Sequence, residues 1–357
     1  MSLKKTTKET HIKRKILRWY KINARKLPWR KKVNKKLPNP YSIFVSEFML
    51  QQTTVGSVIP RFNEFIKIWP TNEKLSKIKE STILKFWSGL GYYTRARNLL
   101  KSSKLIARQH NNIIPSKYDC LIQLPGVGDY TAKAILGIAF NKPVMPIDSN
   151  IKRIFSRVYG ITKKINRSEI KINTLVNKLI SLKNSSNFIQ ALMDYGSIIC
   201  IPNIPKCDEC IINTHCVAFK KNLTNEIPYK KIKKNLNTKK FTRAYIVENE
   251  FNEILIRKRI KKGMLQFMIE VPNDNWVKYK KDLVRDNLIK LFLENLIKLN
   301  EKIIYSFSHF NLEVEIYYVK VRKAKYKNYQ WLALKKIDKS GMPTIMKKII
   351  KIYLNSI

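Results

Sequence analysis

Residues 124–130 read Leu-Pro-Gly-Val-Gly-Asp-Tyr, and an apolar helical run, 130–139, follows at once. Gly126 and Gly128 let the backbone turn tightly and let another molecule approach it closely. The helix beyond the turn aims its free N–H groups and the positive end of its dipole back at the turn, which makes an anion site. Two glycines between helices also occur as a plain connection. The apolar-Pro-Gly-apolar-Gly order favours a grip on a backbone phosphate, the kind of contact that positions DNA without reading its sequence.

Composition agrees with a polyanionic partner. The chain has 357 residues, enough for two domains, and 71 Lys and Arg against 25 Asp and Glu, a formal net charge of +46. Such an imbalance self-repels in isolation and invites nucleic acid. Lys, Ile and Asn are abundant even in loops, so compositional drift stands as a second source of the charge. A hydrophobic content of 44% and an aromatic content of 11% exclude a disordered basic tail protein. No apolar run is long enough to span a bilayer, and the basic start, 1–8, is not followed by an apolar segment of signal-peptide type. These features lead us to expect a soluble monomer in the cytoplasm, associated with the nucleoid if bacterial.

Outward from the hairpin, residues 11–23 place Ile12, Ile16, Trp19 and Tyr20 on one helical stripe, and residues 42 to about 200 continue in helical periods broken by short Gly, Pro and Asn turns. This predicts an all-α domain over 1–221. Residues 222–240 are polar, basic and aperiodic, a linker. Beyond it the period changes: 241–247 and 254–257 read as a strand hairpin, and Leu312, Val314, Ile316 and Tyr318 alternate as a half-buried strand should. With helices expected over 281–299 and 345–354, residues 241–357 form an α+β domain.

Two further features carry chemistry. Glu47 lies in the apolar run Ser-Glu-Phe-Met-Leu-Gln-Gln-Thr at 46–53, where desolvation raises a carboxyl's pKa toward that of a general acid; an exposed Glu on an amphipathic helix is the plain alternative. Cys200, Cys207, Cys210 and Cys216 form C-x6-C-x2-C-x5-C. Four thiols so close together in a basic chain are poor disulfide candidates and strong metal ligands, zinc being the generic metal. His215 reads as a loop residue and Cys120 as a buried free thiol.

The words Leu27-Pro28-Trp29-Arg30, Ser46–Thr53, Gly89-Leu90-Gly91-Tyr92-Tyr93, Arg95-Ala96-Arg97-Asn98 and the 124–130 hairpin occur in order. Together they resemble the MutY family of adenine DNA glycosylases, within the helix-hairpin-helix superfamily, over residues 11–220. The resemblance implies a base-excision-repair enzyme that hydrolyses the N-glycosidic bond of adenine mispaired with 8-oxoguanine or guanine, flipped out of double-stranded DNA. It makes Glu47 the acid that protonates adenine N7 and Asp148 the carboxylate that stabilises positive charge at C1′; Asp148 also reads as a helix N-cap. Tyr130 stands where endonuclease III-type relatives carry a nucleophilic Lys, which implies base excision with at most weak strand cleavage. Lys133, one turn on, reads as a surface lysine. Asn150 supports Asp148, and Trp29 and Arg30 line the adenine pocket. Gln52 and Tyr92 are the wedge pair, and Thr53 and Leu90 lie near 8-oxoguanine. Trp29, Leu90 and Tyr92 are equally readable as core.

The cysteine spacing matches the family's 4Fe–4S loop, in a structural role that would place Lys206 and its neighbours against phosphates. The resemblance makes 241–357 a Nudix-like domain without hydrolase activity, its glutamates Glu270 and Glu294 being isolated. There Phe307-Ser308-His309 resembles an 8-oxoguanine recognition loop, with Ser308 bonding the base and His309 supporting it, or else a strand edge without a ligand. Lys262–Phe267 departs from the family pattern. Two rivals remain: an endonuclease III-like pyrimidine glycosylase with lyase activity, and a non-catalytic basic DNA-binding protein.

Overall fold

A computed structural model describes residues 7–31, 33, 36–162, 165–180, 184–228, 238–261, 263–307 and 309–356. Most of the expected linker and Ser308 lie outside the described residues. The chain divides into two compact units, Met1–Ile78 with Arg97–Ile232 and Lys79–Ala96 with Lys233–Ile357.

The first unit is helical throughout its described residues. Helix α1 (Lys8–Asn23) starts where Thr7 accepts a hydrogen bond from the Thr10 N–H, and buries Ile12, Ile16 and Tyr20. Helix α2 (Pro40–Leu50) is capped by Asn39, which accepts from Tyr41 and Ser42, and has Pro at its first position, where no N–H is needed. It buries Ile43, Phe44, Val45, Phe48 and Met49, so it is apolar all round and runs through the core. Helix α3 (Val55–Ile68) follows, then α4 (Thr94–Gln109), α5 (Tyr118–Ile122), α6 (Asp129–Ala134), α7 (Ser149–Tyr159), α8 (Ile165–Asn177) and α9 (Ser185–Ile198). Helix α6 runs into a π-turn at Ile135–Ala139, where Gly137 has no room for a side chain: a Cβ would lie 2.3 Å from Ile189 Cδ1.

The turn between α5 and α6 is the predicted hairpin. The Val127 N–H donates to the Leu124 carbonyl, and the Ser102 hydroxyl donates to the Pro125 carbonyl at 2.7 Å. Gly126 adopts φ +81, and a Cβ there would stand 2.7 Å from the Asn98 Cβ and 3.0 Å from Phe48. Gly128 has nothing within 4 Å of that position, so its backbone is open to an approaching group. Asp129, an acid in this turn, is neutralised by the Lys133 ammonium at 2.8 Å and by the Tyr118 hydroxyl at 2.9 Å. Cys120, expected buried, is only half-buried.

The second unit is built on a mixed sheet of order β3-β2-β1-β5-β4, with β6 paired to β2. Its strands are β1 (Lys239–Asn249), β2 (Glu253–Lys258), β3 (Ile269–Glu270), β4 (Ile297–Ser306), β5 (Asn311–Val321) and β6 (Tyr329–Ala333). β1 and β2 form the expected hairpin, and β1 runs parallel to β5. Ala244, Ile246, Val314 and Ile316 on one face pack against Ile345, Ile349 and Tyr353 of helix α10 (Thr344–Ser356). Tyr245, Val247, Leu255 and Val319 bury the other face with Ile289. Helix Glu80–Phe86 joins this unit, where a Cβ on Gly341 would fall 3.1 Å from the Lys85 Cα.

The helix expected over 281–299 does not form. The chain makes short 3-10 turns at Lys280–Asp282 and Leu288–Asn295, then strand β4 from Ile297. Leu299 and Ile303 turn inward on that strand, and its backbone pairs antiparallel with β5, a non-local contact that outweighs local helical periodicity.

Gly126→Ala places a Cβ against Asn98 and Phe48 in a left-handed backbone position. It is expected to destabilise the first unit by about 2 kcal/mol, read as a lowered midpoint in thermal melting, while Gly128→Ala leaves the midpoint within about a degree.

Candidate active site

Glu47 sits near the C-terminal end of α2 with only 7% of its surface exposed. Its neighbours on the helix are Ser46, Phe48 and Met49, all fully buried. Burial and the nearby Asp148 carboxyl raise its pKa to about 7, against the lowering pull of the Arg30 guanidinium and of a hydrogen bond donated by the Tyr130 hydroxyl. The same burial, with the Glu47 and Asp148 charges beside it, pushes Tyr130 well above its ordinary value, so its phenol stays protonated. Glu47, Tyr130, Asp148 and Arg30 therefore belong to one electrostatic site.

Asp148 is the N-cap of α7: its Oδ1 accepts from the Ile151 N–H at 2.7 Å and its Oδ2 from the Asn150 amide at 2.9 Å. Burial raises its pKa, and those donated hydrogen bonds work the other way by favouring the anion. Asn150 is held in turn. Its Oδ1 accepts from Arg153 Nη2 at 2.7 Å, and the same guanidinium donates to the Cys200 carbonyl at 2.7 Å and the Gly196 carbonyl at 2.6 Å. Gly196 leaves the space this needs: a Cβ there would stand 2.6 Å from the Asn150 Cβ.

Arg30 and Trp29 follow the loop signal at Pro28. Trp29 is buried against Phe62, with ring centroids 5.2 Å apart, which places it in the core. Arg30 Nη1 donates to Asp194 Oδ2 at 2.8 Å, and Arg25 donates to the same carboxylate through Nε at 2.6 Å and through its backbone N–H at 2.9 Å. Asp194 on α9, Arg25 and Arg153 carried no expected role. Asp194 had a signal in plain view, an acid in the apolar run 188–195, the same signature that singled out Glu47. Gln190, also on α9, donates to Ser186 and leaves its buried Oε1 without a partner among the described residues.

Gln52 and Tyr92, taken separately, share an uncommon backbone state. Gln52 follows α2 in the left-handed region at φ 55 and is exposed; Tyr92 is left-handed at φ 46 and 43% exposed. Tyr92 belongs to a braced loop: Arg95 Nη2 donates to the Leu90 and Gly91 carbonyls at 3.1 and 3.2 Å, and its guanidinium lies 5.6 Å from the Tyr92 ring. Leu90 and Thr53 are half-buried. His309 is exposed, and its carbonyl accepts from the Thr238 hydroxyl at 2.8 Å. Glu270 is ion-paired to Arg257 and Arg259 at 2.9 and 2.7 Å, and Glu294 is exposed.

Cys200, Cys207, Cys210 and Cys216 line one cavity with Ile154, Val158 and Tyr195. Donors converge on their sulfurs: the Tyr195 hydroxyl reaches Cys210 Sγ at 3.1 Å, and Arg157 Nη1 reaches Cys200 Sγ at 3.4 Å. Arg157, fully buried, also donates to the Ile201, Pro202 and Ile227 carbonyls and so pins the loop. Among the described residues no three potential ligands gather tightly enough for a single metal ion. Lys206 pairs with Glu209 at 3.3 Å.

Two family models match the chain: HhH-GPD superfamily base excision DNA repair protein over residues 45–181, and NUDIX domain over residues 243–351. The adenine DNA glycosylase of Buchnera aphidicola subsp. Schizaphis graminum is 35% identical over 349 residues, covering 95% of this chain and 97% of the relative. The chain belongs to the adenine DNA glycosylase family. The adenine DNA glycosylase of Rattus norvegicus is 34% identical over 218 residues, 59% of this chain and 42% of that one. A solved thermostable thymine-DNA glycosylase matches 60% of this chain and 97% of its own with 27% identity and a TM-score of 0.54. An endonuclease III–DNA complex, 19% identical with a TM-score of 0.51, shares the fold over 61% of this chain and 99% of its own. As a member of this family the chain is a DNA glycosylase, its helical part followed by a Nudix-like domain. Among the described residues no helix is long and apolar enough to cross a membrane.

A carboxyl whose pKa rises on folding, from the ordinary 4.5 to about 7 at Glu47, binds its proton more tightly in the native state. The native state therefore loses stability as pH rises between those values, by about 3 kcal/mol for such a shift. Glu47→Gln removes that dependence: the variant should melt above the wild type at pH 8, the gap closing toward pH 5, in paired thermal melts.

Proposed function

We propose that the chain excises adenine mispaired with 8-oxoguanine or guanine in double-stranded DNA, as a monofunctional glycosylase. The observation that carries the reading is the unequal treatment of two neighbouring carboxyls. Burial raises both, Glu47 to about pH 7, and Asp148 accepts two hydrogen bonds, from the Ile151 N–H and the Asn150 amide, that oppose the rise and favour its anion. Environments that push two carboxyls apart in this way assign an acid and a charge stabiliser.

The flipped adenine accepts the Glu47 proton at N7. The C1′–N9 bond breaks, its electron pair leaves with the purine, and C1′ acquires oxocarbenium character opposite the fixed Asp148 carboxylate. Water adds to C1′, and its proton returns to Glu47. Tyr130 holds Glu47 in place by hydrogen bond, and Asn150 holds Asp148. The absence of an amine at position 130, with Lys133 engaged by Asp129, supports hydrolysis without Schiff-base strand cleavage.

The hairpin at 124–128, with Gly128 open, takes a DNA phosphate, and the exposed Gln52 and Tyr92 act as the wedge. Thr53, Leu90 and His309 belong to 8-oxoguanine recognition, with Ser308 assigned on sequence alone. The four cysteines hold one 4Fe–4S cluster: they line a single cavity, and donors aim at two of their sulfurs. Bound, the cluster supplies structural closure of the 200–216 loop. In the second domain Glu270 is engaged by two arginines, which supports a non-hydrolytic role.

Duplexes carrying A opposite 8-oxoguanine, or thymine glycol, test the reading. Breaks on the adenine strand only after hot alkali support it; enzyme-made breaks at thymine glycol point to a pyrimidine lyase, and binding without abasic product to a non-catalytic protein. Glu47→Gln should bind the mispair as the wild type does and lose about 10²- to 10⁴-fold in excision rate. In the wild type, kcat/KM should fall as pH rises through about 7, because the proton donor is then lost. Gly196→Ala, which pushes on Asn150, should lower single-turnover excision at least about tenfold with the duplex affinity kept.

A further inference from the structure

Strand β4 passes into β5 through Phe307-Ser308-His309-Phe310. Phe310 is buried and Phe307 half-buried, with their rings 5.1 Å apart, and Tyr305 adds a third ring 4.9 Å from Phe307. Trp276 completes the cluster, 5.5 Å from Phe307 and 6.1 Å from Phe310. Aromatic rings attract one another at such separations. Trp276 lies outside the strands, yet it is fixed. Its neighbour Val277 exchanges both backbone hydrogen bonds with Phe241 of β1, at 2.8 and 3.1 Å, and the Asp274 N–H donates to the Arg243 carbonyl at 2.9 Å. The Trp276 indole N–H donates to the buried Asn273 Oδ1 at 3.2 Å. The Arg259 guanidinium stands 4.3 Å from the indole and is itself held by Glu270 at 2.7 Å.

A second tie reaches the same connection through its backbone. The Thr238 hydroxyl donates to the His309 carbonyl at 2.8 Å, and the Asn311 N–H donates to the Thr238 carbonyl at 3.0 Å. The Phe307 N–H donates to the Phe310 carbonyl at 2.9 Å. The two phenylalanines are thus engaged in anchorage, while the side chain of His309 is left exposed.

We propose that Trp276 and Thr238 are positioning residues for 8-oxoguanine: they hold the 307–310 connection in one shape before DNA arrives, so that the oxidised base is told from guanine. The proposal rests on the reading of this connection as the part that meets 8-oxoguanine. The two bases differ little, by an oxygen on C8 and a proton on N7. A site built to hydrogen-bond one of them rejects the other only if its groups stay in place and go unpaired. A connection that must be ordered on binding loses affinity to that ordering and can follow either base. Neither Trp276 nor Thr238 has to touch the DNA.

The readout is the preference for A:8-oxoguanine over A:G duplexes, taken as the ratio of single-turnover excision rates at limiting enzyme. Trp276→Leu removes the ring and should shrink this preference about tenfold, chiefly through weaker binding of the 8-oxoguanine duplex, with the A:G rate changed less than about twofold. Trp276→Phe restores a ring and should keep the preference within about threefold of the wild type. Thr238→Val keeps the side-chain shape without the hydroxyl and should lower it about threefold. An unchanged preference in a folded Trp276→Leu, or equal losses on both duplexes, overturns the proposal. Thermal melting identifies a variant that has not folded. If Trp276→Leu is lost in that way, Thr238→Val decides alone, a reduced preference supporting the proposal and an unmoved one refuting it. Failure of the underlying reading looks different: a variant carrying both Ser308→Ala and His309→Ala would then keep the full preference, and the proposal would fall with it.

Discussion

Two carboxyl groups buried within reach of each other cannot both be ionised cheaply, and this constraint organises the helical unit. In the mechanism proposed, Glu47 takes the proton and Asp148 the charge because their surroundings differ. An apolar, fully buried helix surrounds the first, whereas a helix start and an amide surround the second. Interchanging those surroundings would interchange the roles. The fold thus stores the acid–base assignment in where two helices begin and end.

Around this pair the molecule spends arginines as braces. Arg30 is tied to Asp194, Arg153 spans Asn150 and the cysteine loop, and Arg157 threads the carbonyls of that loop. Each is almost fully buried, and a buried guanidinium needs nearly all its donors occupied, so each fixes several segments at once. The +46 of the chain is therefore not only a surface property. Some cations are internal joints, while the rest dress the exterior.

Much of this was legible before any coordinates, for identifiable reasons. The hairpin announces itself by its two glycines, of which Gly126 is required by geometry, for φ +81 and a close approach, while Gly128 presents an open face. Asp148 reads as an N-cap because a cap is a local device. Glu47 stands out because a charge in an apolar helix has few structural excuses. Asp194 has the same signature but no role legible in the sequence, since its partners Arg25 and Arg30 lie more than 160 residues away and only the fold brings them together. Strand β4 is not legible in the sequence, because pairing with β5 is a non-local contact invisible to helical period. The grouping of 79–96 with the C-terminal sheet is likewise a property of packing that composition does not carry.

Arg153 ties two distant segments to one support. Its guanidinium joins the Cys200 carbonyl to the amide that steadies Asp148, so the cysteine segment and the carboxylate at the start of α7 share one fastening. A displacement of the backbone at Cys200 is therefore passed through a single side chain to the start of α7.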